Sequence, residues 1–434
     1  MQIVLEGGTL IDGQGGAPVA NAAIVLERDR IKSVSDVADL PRQAVSPDVQ
    51  SIDLAGKWIL PGLINMHEHL YFREAMGAPR ETRAKGRFWL TFFSLRNALT
   101  ALARGWTTVR DMGTLHGISI EVRDLVNGGE LPGPRIVACG SPVSITGGHG
   151  HGMCVEADGA DTCRRAAREQ LKAGADFLKL MASHDPIPMT HAEKTRPEMT
   201  LAEMRAVFDV AREWGRKTAC HVMGRTAIGN VLDAGVDIID HGIYLDDALA
   251  ERMARQGTFL TPTLSAYCRQ TRNPVFGRGA AWAAAHSVLV EPHIESLRAA
   301  VKAGVKMLNG TDSTGVYAED VEMMREAGMR PMDTILACTR NAAEALALED
   351  RIGTIAPGKI ADIVVLDSDP LEDAYALEAV HLVIKGGAVY RPHEISFFDS
   401  VAPGLSDAER ALARLAGMQH PARRSRGESS RAFV

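Results

Sequence analysis

The stretch ILPGLINMHEHL occupies residues 59–70. It is apolar apart from Asn65 until it ends in two histidines one residue apart, His67 and His69, and it reads as a buried strand. Side chains at i and i+2 of a strand share a face, so both imidazoles project to one side while Glu68 points away. Neutral imidazole is a ligand for zinc and other first-row metals. Two histidines hydrogen-bonded at a strand end fit the pair equally well, so its meaning depends on what the rest of the chain repeats.

Downstream, short apolar runs of the same kind recur: WTTVRDMG (106–113), PRIVACG (134–140), ADFLKLMA (175–182), KTACHVMG (217–224), VDIIDHG (236–242), TFLTPTLS (258–265) and VKMLNGTDS (305–313). With the first stretch they make eight strand candidates. Between them lie helix-length segments such as LTFFSLRNALTALARG, CRRAAREQLKAG, LAEMRAVFDVAREWG and IGNVLDAG, each closed by the glycine that commonly stops a helix. Alternating strands and helices imply a parallel sheet with crossover helices, and eight units over residues 61–354 predict an α/β fold of the TIM-type (β/α)8 barrel. An open doubly wound sheet is the alternative, but no GxGxxG follows the first strand.

Both ends of the chain are β-rich. MQIVLEGGTLIDG, AAIVLERDRIKSV and SIDLAGKWIL stand at the start, and GTIAPGKIADIVVLDSD and AVHLVIKGGAVY near the end. This predicts a small β-sandwich domain built from both termini, residues 1–60 plus 355–402. Residues 403–434 combine SDAERALARLAGM with a polar, arginine-rich run and are expected to form a frayed tail.

Composition bounds the function class. The 434 residues are 46% hydrophobic and 24% charged with a net charge of −6, an ordinary globular balance without the basic character of a nucleic-acid binder. No apolar run approaches the ~18 to 20 residues that span a bilayer. The start of the chain lacks a charged segment followed by an apolar one, and the six cysteines show no CxxC, so a cytoplasmic, reducing location is expected. Cys220 beside His221 would face the other side of its strand and is expected to be a core thiol.

In a barrel of this kind functional groups gather at the C-terminal ends of the strands. There the runs carry His67 and His69, then Lys179, His221, His241 and Asp312. Singly, each has a structural reading: a strand-end lysine, a satisfied histidine, a capping carboxylate. Six polar residues sharing a position usually held by Val, Ile or Leu are not explained by packing.

This ordered set, HxH, Lys, His, His and Asp, resembles the amidohydrolase superfamily in its branch with a binuclear metal site bridged by a carboxylated lysine. The resemblance runs from the N-terminal β segment through the ligand strands to GKIADIVVLD. It implies two divalent metal ions, zinc foremost, with His67, His69 and Asp312 holding one and His221 and His241 the other. It further implies that Lys179 takes up carbon dioxide and bridges both as a carbamate. Burial and nearby cations would favour the neutral amine that this reaction needs. Such a pair of metals shares a bridging hydroxide and polarises a carbonyl, and Asp312 passes the proton to the leaving group.

SITGGHGHG, DFLKLMAS and IDHGIYLDD further resemble metal-dependent Xaa-Pro dipeptidases and related N-acyl amino acid hydrolases. The implied reaction is hydrolysis of an amide in a dipeptide, an N-acyl amino acid or an aryl amide such as an ochratoxin-like compound. The alternatives are a carbamate, urea, cyclic amide, lactone or ester on the same scaffold. A non-catalytic interaction protein is a third reading, against which the complete ligand set argues. The loop TGGHGHG lacks the lysine and Ser/Thr of a phosphate-binding loop. His149 and His151 are therefore expected to bind a substrate carboxylate or carbonyl, and Tyr244 to donate to the carbonyl oxygen. Met223 stands where some relatives carry an aromatic donor, which argues against strict dipeptide specificity. Arginine-rich loops after the first, fourth and seventh strands suit an anionic, partly apolar small-molecule substrate, and a homo-oligomer is the prior for the assembly.

Overall fold

The computed structural model describes residues 2–40, 49–71, 86–184, 195–272, 284, 287–393 and 395. The chain begins with β1 (Gln2–Leu10), β2 (Val19–Glu27), β3 (Arg30–Asp36), β4 (Val49–Asp53) and β5 (Trp58–Pro61). Strands β6 (Leu63–Glu68), β7 (Trp106–Asp111), β8 (Arg135–Ala138), β9 (Val143–Ser144) and β10 (Val155–Glu156) come next. They are followed by β11 (Phe177–Met181), β12 (Lys217–Val222), β13 (Ile238–His241) and β14 (Phe259–Thr261). The chain closes with β15 (Ile363–Leu366), β16 (Val380–Lys385) and β17 (Ala388–Tyr390).

Strands from both ends of the chain share one mixed sheet in the order β17-β16-β15-β5-β1-β2-β3, with β4 also beside β1. In β1 the buried Ile3, Leu5 and Leu10 alternate with half-buried positions, and they pack with Ile24, Leu26, Ile59, Ile363, Val365 and Leu382. The first strand candidate therefore divides. A single residue, Gly62, separates β5, which pairs with β1 and β15, from β6, which pairs with β7.

The middle of the chain forms two parallel sheets, β6-β7-β8 and β10-β9-β11-β12-β13-β14. Strands β6, β7, β11, β13 and β14 are buried along their whole length, as expected where helices cover a parallel sheet. Hydrogen bonds connect the two sheets. Asp176 N donates to Ala138 O at 2.8 Å, and residues 306–309 link Leu260 of β14 to Met66 of β6. The eighth strand candidate is thus an extended segment joined to its neighbours by a bridge and single bonds rather than a regular strand. Ile64, Met66, Cys139, Phe177, Ala219, Ile238, Phe259 and Leu308 meet in one apolar cluster.

The anticipated helices are present at Arg87–Ala103, Ala160–Ala173, Leu201–Glu213 and Arg225–Ala234. Thr200 and Glu203 form a reciprocal capping box at the start of the third, satisfying backbone donors that the first turn leaves open. Among the described residues no helix is long and apolar enough to cross a membrane. The tail, residues 403–434, lies outside the described residues, as do most of the loop after the first strand and part of those after the fourth and seventh.

Candidate metal centre

The site grows from strand parity. Phe177, Ala219 and Ile238 all point into the central apolar cluster. Two residues further on, the same face carries Lys179 on β11, His221 on β12 and Asp240 on β13. His241 breaks the alternation: its φ of 70° ends the strand in the left-handed region and turns the imidazole toward His67 and His221. Ring centroids lie 5.1 Å apart for His67 and His241, and 4.6 Å for His221 and His241. On β6 a register irregularity falls between Asn65 and Glu68, a feature common beside functional sites.

Asp312 completes the group. His67 Nε2 lies 3.4 Å and His69 Nε2 3.6 Å from its Oδ1. His67, His241 and Asp312 offer ligand atoms within 4.8 Å of one another, a spacing that can hold a metal ion. Hydrogen bonds fix which ring nitrogens face inward. His69 Nδ1 is 2.7 Å from Gly113 O, and His241 Nδ1 is 2.7 Å from Thr263 Oγ1, leaving Nε2 to the site in both. His221 Nε2 is buried with no hydrogen-bond partner among the described residues, a costly state for a polar atom unless a ligand supplies the contact.

At three of the four histidines the electrostatics favour the ligand-competent form. Burial pushes the His69 imidazole down to about 4. Burial, reinforced by neighbouring imidazoles, holds His221 and His241 well below the usual histidine range. All three are neutral at pH 7, as metal coordination requires. Burial opposes the charged form of Asp312, but the charge and hydrogen bond of His67 hold this carboxyl far below its usual range, and in return, against its own burial, the carboxylates of Asp312 and Asp240 raise the titration of His67.

Lys179 Nζ lies 2.9 Å from Asp240 Oδ2, and Arg110 Nη2 2.7 Å from Asp240 Oδ1. Asp240 and Arg110 escape a reading based on strand ends, although each carries a signal in being a charge at inward parity within an apolar run. Cys220 is buried with its Sγ toward His221 O, and burial raises its thiol, which fits a core residue. Glu68 does not face solvent. Its carboxylate accepts from His69 N, Thr311 Oγ1 and Ser313 Oγ, and burial pushes its titration up.

The loop after β9 brings His149 onto the site. Its ring stacks on His221 with centroids 3.9 Å apart and planes 5° from parallel. Glu198, a second unanticipated residue, holds this loop. Its two oxygens lie 3.0 Å from His149 N, and His184 Nδ1 contacts the same carboxylate. A Cβ on Gly148 would sit 2.9 Å from Glu198 Oε2 and 2.5 Å from Ser144 Oγ, so only glycine lets the loop lie this close. His151 is exposed, its Nδ1 3.1 Å from Gly148 O. Tyr244, at φ 73°, packs partly buried against the cluster of Met223, Ile243, Ala266, Tyr267 and Leu289.

Comparison with known proteins points to one family. Ochratoxinase of Aspergillus niger is 28% identical over 433 residues, covering 89% of this chain and 86% of the relative. A crystal structure of a Xaa-Pro dipeptidase with methionine bound in the active site superposes with a TM-score of 0.80 and 28% identity, covering 90% of this chain and 100% of that one. The crystal structure of A. niger ochratoxinase gives 0.78 at 26% identity, covering 90% and 95%. The sequence profile of the Amidohydrolase family matches residues 58–390. With that match over most of its length, the chain belongs to the amidohydrolase family and is a hydrolase acting on carbon–nitrogen bonds.

Proposed function

We propose that the protein hydrolyses the amide bond of a small carboxylate-bearing substrate, a dipeptide of the Xaa-Pro type, an N-acyl amino acid or an aryl amide of the ochratoxin kind. The observation that carries the reading is the cluster of His67, His241 and Asp312, whose ligand atoms lie within 4.8 Å of one another, with His221 Nε2 beside it buried and without a hydrogen-bond partner among the described residues. The similarity to ochratoxinase and to a Xaa-Pro dipeptidase supports the substrate class. In this reading the two central sheets and residues 306–309 form a (β/α)8 barrel over residues 61–354. The β strands of residues 1–60 and 355–402 form a discontinuous β-sandwich domain beside it.

The donor set fits two divalent ions, zinc first among them. His67, His69 and Asp312 would hold one and His221 and His241 the other, with Lys179 bridging once carbon dioxide has converted its amine to a carbamate. Asp240 suits that conversion, since Arg110 remains against its Oδ1 when Lys179 ceases to be a cation. When bound, such a pair acidifies water and polarises a carbonyl.

The chain's own groups supply the rest. Asp312, already ionised, accepts the proton of the attacking water and delivers it to the leaving nitrogen as the water oxygen joins the acyl carbon and the C–N bond breaks. His149, fixed over His221, binds the substrate carboxylate, with His151 at the outer edge of the same loop. Tyr244 donates to the carbonyl oxygen.

The test is incubation of zinc- or manganese-loaded protein with Xaa-Pro dipeptides, N-acyl amino acids, aryl amides, carbamates and lactones beside a Lys179→Ala control, with products followed by mass spectrometry. Amide turnover that vanishes in the control supports the proposal. Turnover confined to carbamates or lactones, or none with two metals bound per chain, rejects the substrate class.

A further inference from the structure

Glu68 stands between the two histidines of the opening motif, yet its carboxylate reaches across to the loop that carries Asp312. Its Oε2 accepts from Thr311 Oγ1 at 2.8 Å, and its Oε1 from Ser313 Oγ at 2.5 Å and from His69 N at 2.9 Å. Asn65 extends the contact by donating to Thr311 Oγ1 at 2.8 Å. The two residues on either side of Asp312 are thus tied to one carboxylate, itself 8% exposed.

The loop needs such a tie. Asp312 and Ser313 have φ of 43° and 62°, a left-handed conformation that side chains other than glycine rarely adopt. Within it Thr314 N donates to Asp312 O and Gly315 N to Thr311 O, both at 2.7 Å, and along one edge Thr311 N and Asp312 N donate to His67 O at 3.1 and 2.8 Å. That close approach depends on Gly310, where a Cβ would lie 2.7 Å from His67 N. On the other edge Ser313 Oγ meets His69 N at 3.1 Å and His69 O at 3.3 Å, and Glu68 is the group that binds Thr311 and Ser313 together.

We infer that Glu68 is a positioning residue for Asp312, clamping the strained turn through Thr311 and Ser313 so that the carboxylate keeps its place beside His67 and His69. The functional half of this inference rests on the role proposed above for Asp312; the structural half does not. A glutamine retains the side chain's length but offers one acceptor oxygen in place of two, so Glu68→Gln should loosen the turn without emptying the space. A misplacement of about 1 Å in a reacting group can cost about 100-fold in rate, and a fall in kcat of about that size with KM within twofold is the expected signature.

Two measurements decide it. In the first, hydrogen exchange followed by mass spectrometry compares the full-length protein with Glu68→Gln and with the milder Ser313→Ala. Exchange at residues 311–315 about tenfold faster in Glu68→Gln, with the rest of the chain unchanged, supports the clamp; unaltered exchange there overturns it. This arm is read whether or not any substrate is turned over, so it stands apart from the proposed function. In the second, kinetics on whichever substrate the wild type cleaves are measured for Glu68→Gln, Asp312→Ala and the pair. If Glu68 acts through Asp312, adding Glu68→Gln to Asp312→Ala costs less than twofold further. Additive losses, or an effect confined to KM, overturn the positioning role. Ser313→Ala, which removes one of the bonds, should fall between the wild type and Glu68→Gln in both measurements, and a silent Ser313→Ala counts against the clamp.

Discussion

Asp240 is shared by two buried cations, with Lys179 on one carboxylate oxygen at 2.9 Å and Arg110 on the other at 2.7 Å. Removing one partner of a buried ion pair leaves an uncompensated charge, which costs about 3 to 5 kcal/mol. In metal-free protein, where Lys179 keeps its ammonium, Asp240→Asn strands both cations and should destabilise the fold by at least that much in urea unfolding. A loss below about 1 kcal/mol would mean that the triad is not held as described.

If the histidine cluster holds metal, removing it should lower both activity and stability. A ligand at about 1,000 times its Kd stabilises the folded state by about 4 kcal/mol. Protein dialysed against a chelator should therefore melt at lower temperature and regain both properties with zinc. A melting curve insensitive to chelator and to added zinc would contradict the site.

His149 is placed to meet substrate, so its loss should act on binding. A single hydrogen bond to a charged group is worth about 1.5 to 3 kcal/mol, and His149→Ala should raise KM about tenfold or more on the substrate identified above. Initial rates measured across substrate concentrations give the answer, and an unchanged KM would remove His149 from the substrate contacts.

The His293 imidazole, whose Nε2 lies 3.1 Å from His241 O, is pushed down to about 4 by burial. Its folded titration point lies below the unfolded one near 6.5, so the unfolded chain binds the extra proton between these values. The stability this provides is present above pH 6.5 and is lost as pH falls toward 4, by about 3 kcal/mol. His293→Gln keeps a donor for His241 O but does not titrate, so its unfolding free energy, measured on metal-free protein from pH 7 to 4, should fall by that much less than the wild type's. Parallel curves would refute the assignment.

Much of this site is legible in the sequence because strand alternation is strict. Lys179 and His221 follow two residues after core positions on their own strands, and the same parity would have pointed to Arg110 and Asp240. His241 is different. Alternation places it opposite Asp240, and only the turn at φ 70° brings both to one centre, a backbone event that periodicity does not encode. Glu68 and Glu198 were hidden for another reason: each satisfies a loop contributed by a distant part of the chain, 243 and 49 residues away. The eighth strand candidate is legible as an apolar run in the alternation, although its backbone makes single bonds rather than a regular ladder.

The sheet shared by the two ends of the chain also governs when the molecule can finish folding. Strand β5 runs through Gly62 into β6, which carries His67 and leads directly to His69, yet its neighbour β15 lies far downstream. Lys57 and Asp367, paired at 2.7 Å, are 310 residues apart. At a synthesis rate of ~5 to 20 residues per second, the first strand of the histidine motif leaves the ribosome some 15 to 60 s before the strand that covers its flank. During that interval the β5 edge is open to other chains, and shielding the nascent protein is most valuable then.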